Sequence, residues 1–183
     1  MIELEIGQEV EMEFGGKAKV LSVIGSGGQG TVYLVRFNGQ KWALKWYDID
    51  KMKKPKAFRK NLEDNINDGP PSSQFLWPKY LTKETEDGTF GYIMELKPEG
   101  FDSFVDILNT YKLEVDSLTG HALKKNVRFA SLSAMVTAVI NIVNAFRQLH
   151  RVGKSYQDLN DVIAQIKNRN YKFIIYMDDL SFE

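Results

Sequence analysis

Between Lys17 and Tyr47, three strand-favouring stretches are separated by two glycine-bearing turns, and this arrangement constrains the fold more than any other feature. Lys17 to Gly25 alternates and is rich in Val and Ile, while Thr31 to Phe37 and Gln40 to Tyr47 are β-branched or aromatic. Asn38-Gly39 separates the last two stretches, and both residues tolerate the positive φ that a two-residue hairpin turn requires. The first turn is Gly25-Ser26-Gly27-Gly28-Gln29-Gly30-Thr31-Val32, of the form G-x-G-x-x-G-x-V. A strand follows it, so it is not the strand-to-helix loop of a dinucleotide-binding fold, and it does not end in the Gly-Lys-Ser/Thr of a Walker A loop. What remains is a glycine hairpin whose backbone N–H groups, unshielded by Cβ atoms, can meet phosphate oxygens closely.

Alternation along the third stretch puts Ala43 and Lys45 on one face and Trp42, Leu44 and Trp46 on the other. Ala43 then lines a flat apolar slot into which Lys45 reaches, and a lysine there is costly to bury unless a carboxylate or phosphate meets it. The loop, the hairpin and Trp42-Ala43-Leu44-Lys45 together resemble the protein kinase superfamily, with its Gly-rich loop and V-A-I-K strand. The resemblance implies an α+β, two-lobed fold: an antiparallel five-stranded N-lobe with one helix over residues 1–97, and a partial helical C-lobe over 98–183. It implies ATP and Mg²⁺ as cofactors and transfer of the γ-phosphoryl group to Ser/Thr hydroxyls of a protein. By the same likeness the backbone of Gly25, Gly27, Gly28 and Gly30 cradles phosphates, Val32 and Ala43 roof the adenine slot, and Lys45 orients the α- and β-phosphates. Gly91 to Lys97 resembles the last N-lobe strand entering the hinge, with Met94 as gatekeeper and the backbone of Glu95 and Leu96 meeting the adenine edge.

From Lys56 onward, Phe58, Leu62 and Ile66 recur every four residues as one stripe of a short helix ended by Gly69-Pro70-Pro71. The resemblance calls for a helix carboxylate to pair with Lys45. Glu63 lies about 100° from the stripe's centre and Asp64 about 200°, which makes Glu63 the candidate. Two further strands are expected, Phe75 to Lys83 and Phe90 to Leu96, followed by a hinge over Met94 to Gly100.

Beyond the hinge, Phe101, Val105 and Leu108 suit a short helix, and Ser117 to Lys125 reads as a polar connection. Met135, Val139, Ile142, Val143, Phe146 and Leu149 trace a wide apolar stripe on a helix of about twenty residues ended by Gly153. That width predicts cover on more than one side, with a partner or a second copy of the chain over residues 134–149. Val162 to Ile166 and Tyr171 to Met177 read as a hairpin. Tyr156-Gln157-Asp158-Leu159 resembles a variant of the kinase catalytic segment H-R-D-L, which would make Asp158 the catalytic base. Five residues on, where the family has a metal-binding Asn, stands Ile163, whose side chain offers no oxygen to Mg²⁺. Asp178 and Asp179 are the candidates for a D-F-G-like metal ligand, Asp179-Leu180-Ser181 giving the better match. The resemblance stops there, short of an activation segment and later helices. A catalytically impaired pseudokinase or nucleotide-binding interaction module is therefore the alternative to an active kinase, and a small-molecule phosphotransferase is a third reading.

Composition narrows the rest. No cysteine and two isolated histidines, His121 and His150, exclude a disulfide scaffold and leave little for a metal cluster built on thiolate or imidazole. A net charge of zero argues against nucleic-acid binding. The acidic N-terminus has no apolar signal region, which predicts a cytoplasmic protein. The uncharged residues Ala130 to Phe146 fall short of the roughly 20 apolar residues of a membrane span. Lys51, Lys53, Lys54 and Lys56 read as a solvated linker.

Overall fold

Strand-forming residues at the N-terminal end build one antiparallel sheet from β1 (Glu9–Glu11), β2 (Lys17–Gly27), β3 (Gly30–Phe37), β4 (Gln40–Tyr47), β6 (Pro78–Leu81) and β7 (Gly91–Met94). Their spatial order is β1-β2-β3-β4-β7-β6. This is a computed structural model, and it describes residues 3–99, 101–103, 111–116, 119–126, 129, 131–154, 162–165 and 173–176. The chain divides into two units, Met1–Pro70 with Trp77–Leu96, and Pro71–Leu76 with Lys97–Glu183.

In the first unit the turn chemistry acts as the sequence predicts. Asn38 at φ 48° and Gly39 at φ 77° close the β3–β4 hairpin, and Gly27 pairs with Gly30 across the glycine turn. The pleat sends Ala18, Val20, Tyr33, Val35, Leu44, Trp46 and Ile93 into one core, joined by Leu4, Val10 and Met12. The sheet curls until its two edge regions meet. Met12 bridges Thr82, the Glu13 N–H donates to the Leu81 carbonyl at 3.0 Å, and the Lys83 N–H donates to the Glu11 carbonyl at 2.8 Å. Curling satisfies backbone groups that an open edge would leave exposed. Helix α1 (Pro55–Asp68) packs on the other face, where Phe58 meets Tyr47 edge-on at 5.0 Å between ring centroids.

Two strand expectations need correction. The sheet has six strands, not five, because Glu9–Glu11 pairs with Lys17–Lys19; three residues reading Glu-Val-Glu are too short to show alternation. The single strand expected over Phe75 to Lys83 is two. β5 (Phe75–Leu76) belongs to the second unit, and Pro78, which has no N–H to give a ladder, begins β6 in the first.

The second unit is not mainly helical among its described residues. It holds a sheet of order β5-β12-β11-β8, from β8 (Phe101–Ser103), β11 (Val162–Gln165) and β12 (Phe173–Tyr176), in which β5 and β12 run parallel. The short helix expected at Phe101 is strand there, and Val105 and Leu108 lie outside the described residues. The polar connection over Ser117 to Lys125 is half of a hairpin, β9 (Tyr111–Val115) with β10 (Ala122–Asn126). Leu113, Val115, Leu123 and the rest of β10 are exposed, so burial imposes no alternation that the sequence could have displayed.

Helix α2 (Leu132–Arg151) has the expected length. Ser131 caps it by accepting from the Ala134 N–H at 3.1 Å, and Gly153 at φ 71° follows its end. Its buried face is Ala134, Ala138, Ala145 and Leu149, whereas Val139 and Val143 of the expected stripe are 44% and 60% exposed. Small side chains let a helix approach its neighbour closely, so the packed face follows the alanines and not the largest apolar residues. By length and composition α2 is apolar enough to cross a membrane, a threshold that the count of uncharged residues had placed out of reach.

Candidate functional site

The glycine hairpin and Lys45 occupy one corner of the first unit. Gly28 and Gln29 form the turn between Gly27 and Gly30, and the Gln29 carbonyl accepts from the Asp48 N–H at 2.9 Å, tying the loop to the end of β4. A Cβ on Gly27 or Gly28 would meet nothing within 4 Å, so their backbone faces open space. Gly30 is required for a different reason: a Cβ there would stand 2.1 Å from the Trp46 carbonyl oxygen. Gly91 plays the same part on the other side of β4, where a Cβ would stand 2.4 Å from the Lys45 carbonyl oxygen. Glycines on both flanks thus seat the Lys45–Trp46 backbone tightly in the sheet.

Register then places the side chains. Lys45 lies between Val32 on β3 and Tyr92 on β7, and Ala43 lies between Leu34 and Met94. Alternation puts Val32, Ala43, Lys45, Tyr47, Tyr92 and Met94 on the face opposite the core around Trp46. Lys45 is 6% exposed, with its Nζ 6.0 Å from the centre of the Tyr47 ring. Met94 is buried, and beyond it Glu95 is exposed and pairs with Lys79 at 3.6 Å. The first unit therefore brings together Gly25, Gly27, Gly28, Gly30, Val32, Ala43, Lys45 and Met94 on adjoining strands.

Glu63 stands elsewhere. Its carboxylate takes the Lys60 ammonium at 3.2 Å, with Asp64 on the same ammonium at 3.0 Å, and its side chain is 47% exposed. Hydrogen bonds to Asp64 and then Glu63 hold the Lys60 ammonium above the usual lysine range. The face that α1 turns to the sheet is Phe58, Leu62 and Asn65, with Leu62 and Asn65 its buried residues. The buried residue of this face that the sequence stripe did not include is Asn65. An Asn inside a helix is a poor helix former, and that mismatch was its only signal.

Asp158, Asp178 and Asp179 lie outside the described residues. Ile163 lies on β11, opposite Ser103 and Ile174. Among the described residues no cluster of His, Asp and Glu could hold a metal ion.

Comparison with solved structures gives the fold. The chain superposes on the Mycobacterium tuberculosis PknI kinase domain with a TM-score of 0.63 at 15% identity, covering 96% of this chain and 62% of that one. It matches Rad53 residues 1–466, solved in complex with AMP-PNP, with a TM-score of 0.64 at 15% identity over 90% of this chain and 39% of that one. Vaccinia related kinase 3 gives a TM-score of 0.63 at 12% identity over 96% of this chain and 51% of that one. The fold is therefore protein-kinase-like, and the chain spans less than two thirds of each of these structures. A sequence family described as a protein of unknown function, DUF815, matches residues 109–183, less than half of the chain. No curated protein matches the sequence.

Proposed function

We propose that the chain binds ATP through its glycine hairpin and the Lys45 face of the sheet. The observation that carries this reading is the placement of a nearly buried lysine beside Val32 and Ala43 on the strand following a glycine turn whose backbone faces open space. Turn N–H groups and the Lys45 ammonium suit the phosphates, and Val32, Ala43 and Met94 suit a flat base. The AMP-PNP carried by the Rad53 structure supports nucleotide as the ligand class. If γ-phosphoryl transfer follows, Asp158 orients a Ser/Thr hydroxyl and Asp179, or Asp178, holds Mg²⁺.

The alternative, a nucleotide-binding protein without turnover, is favoured by Ile163 at the position of the metal-binding Asn and by the engagement of Glu63 with Lys60. Two measurements separate the readings. Thermal stability with millimolar ATP, with and without Mg²⁺, rises in either case, and no rise removes nucleotide binding. Radiolabelled γ-phosphoryl transfer then distinguishes them: signal lost in both Lys45→Met and Asp158→Asn supports an enzyme, and no signal from the unaltered protein supports the binding module.

A further inference from the structure

We propose that the hairpin of β9 and β10 is a self-association site. The open edge of β9 pairs antiparallel with β9 of a second copy of this chain, two-fold about Leu113, and makes one sheet of order β10-β9-β9-β10. The proposal is independent of the nucleotide-binding reading.

The starting point is a small sheet with too little around it. Among the described residues β9 pairs only with β10, and the two strands pack chiefly on each other. Leu113 and Val115 share one face and are 64% and 73% exposed, and Leu123 on the opposite face is exposed with the rest of β10. A hairpin of two strands is marginal in water and gains stability when further strands join it.

Hydrogen-bond direction shows which main-chain groups are on offer. The Asp116 N–H donates to the His121 carbonyl at 2.9 Å, so Asp116 turns its main-chain groups toward the other arm of the hairpin. That direction alternates along an antiparallel strand, and the register of β9 with β10 continues from this pair. Glu114 and Lys112 therefore also face β10, whereas Val115, Leu113 and Tyr111 turn their N–H and C=O groups to the open edge. Leu113 lies midway between the other two. A second β9 laid antiparallel about Leu113 meets the first group for group: Leu113 exchanges N–H···O=C bonds with Leu113 of the copy, and Tyr111 exchanges them with Val115.

Charge selects this edge and this register. About Leu113, Lys112 stands opposite Glu114 of the copy and Glu114 opposite Lys112, and facing pairs of opposite charge stabilise a sheet. Centring the pairing on Glu114 or on Lys112 instead sets a charge against itself. Within one copy Glu114 already takes the Lys125 ammonium at 3.3 Å, and a carboxylate has room for a second donor. The other edge of the hairpin is unsuited: β10 reads Ala-Leu-Lys-Lys-Asn, with lysines and no acid, and lysine on an edge strand opposes pairing. The same register brings Leu113 against its counterpart, with Val115 of each copy diagonal to it, so the exposed aliphatic side chains of the two copies cover one another.

The test uses the full chain and sedimentation equilibrium over a concentration series, which reads the monomer–dimer Kd. The variants are Lys112→Glu, the exchange of Lys112→Glu with Glu114→Lys, and Lys124→Glu as control. Register sets Lys112 opposite Lys125 within the hairpin, so Lys112→Glu relieves a like-charge pair inside one copy while setting acid against acid between copies. An effect on the hairpin alone would therefore not weaken the dimer. The unaltered chain should form a reversible dimer, and Lys112→Glu should raise Kd at least about tenfold. The exchange should return Kd to within about threefold of the unaltered value, and Lys124→Glu should stay within the same range. A monomer throughout, up to millimolar concentration, would overturn the proposal, as would a loss that the exchange fails to restore. A dimer that Lys112→Glu leaves intact would also overturn it and would place the interface elsewhere, as on the exposed apolar face of α2.

Discussion

The sheet of the first unit and helix α2 of the second bury their side chains in opposite ways. In the sheet several of the largest residues are enclosed: Tyr33 and Trp46 are 1% exposed, and Tyr47 and Tyr92 are 0%. In α2, three of the four buried residues are alanines, and Leu132, Val136, Val139, Ile140 and Val143 stand exposed. A strand's faces are set by its pleat, and a curled sheet with a helix on its outer side fills both of them. A helix has no such built-in assignment, because which stripe is buried depends on what lies against it. The contrast says where bulk stabilises this protein and where it does not.

The contrast can be broken or sharpened by four measurements. Trp46→Ala removes a fully enclosed indole from the first unit's core and should cost about 3–5 kcal/mol in chemical denaturation. A loss below about 1 kcal/mol would mean that the sheet's core is not what holds the unit together. Leu149→Ala, at the one large buried residue of α2, should cost about 2–4 kcal/mol by the same method. Val143→Ser, on the exposed face of the same helix, should stay within about 0.5 kcal/mol; a cost equal to that of Leu149→Ala would show that this face is packed in solution and would erase the contrast.

The smallest effect is one of pH. Hydrogen bonds from the Thr85 and Thr89 hydroxyls hold the exposed Asp87 carboxylate below the ordinary aspartate range in the turn before β7. A carboxylate depressed in the folded state contributes stability that is present above its unfolded value and lost as pH falls through its folded one. Thr89→Val should therefore flatten the acid limb of the stability profile by lowering stability slightly at neutral pH, with the difference between the two proteins vanishing as pH falls below about 4. An acid limb identical in both proteins would show that this turn adds nothing to stability.

How much was legible in the sequence follows the same division. The β2–β3–β4 meander, its Asn38-Gly39 turn and the shared face of Ala43 and Lys45 could all be read, because strand alternation and turn residues act locally. Both helices could be located from their stripes and terminal glycines, yet the buried face was read only in part in each: Leu62 and Leu149 are buried as expected. In α1 the reading centred on Phe58, Leu62 and Ile66, whereas the structure turns Asn65 inward with Leu62 and leaves Ile66 half-buried. In α2 it followed residue size, and packing followed the alanines. Strand β10 escaped notice because its residues are exposed on both sides, and β5 because a proline two residues on divides one apparent strand between two units. Asp158, Asp178 and Asp179 remain proposals made from motif likeness, whereas Lys45 and the glycine turn also have a geometry.

The central claim is that the face carrying Lys45 binds nucleotide. Isothermal titration of Mg-ATP into the full chain tests it most directly, comparing the unaltered protein with Lys45→Met, which keeps the side chain's length and removes its charge. The account predicts saturable binding that weakens at least about tenfold in the variant, the loss of one charge-assisted contact to phosphate. Equal affinity in the two proteins, or no binding to the unaltered one, would contradict it.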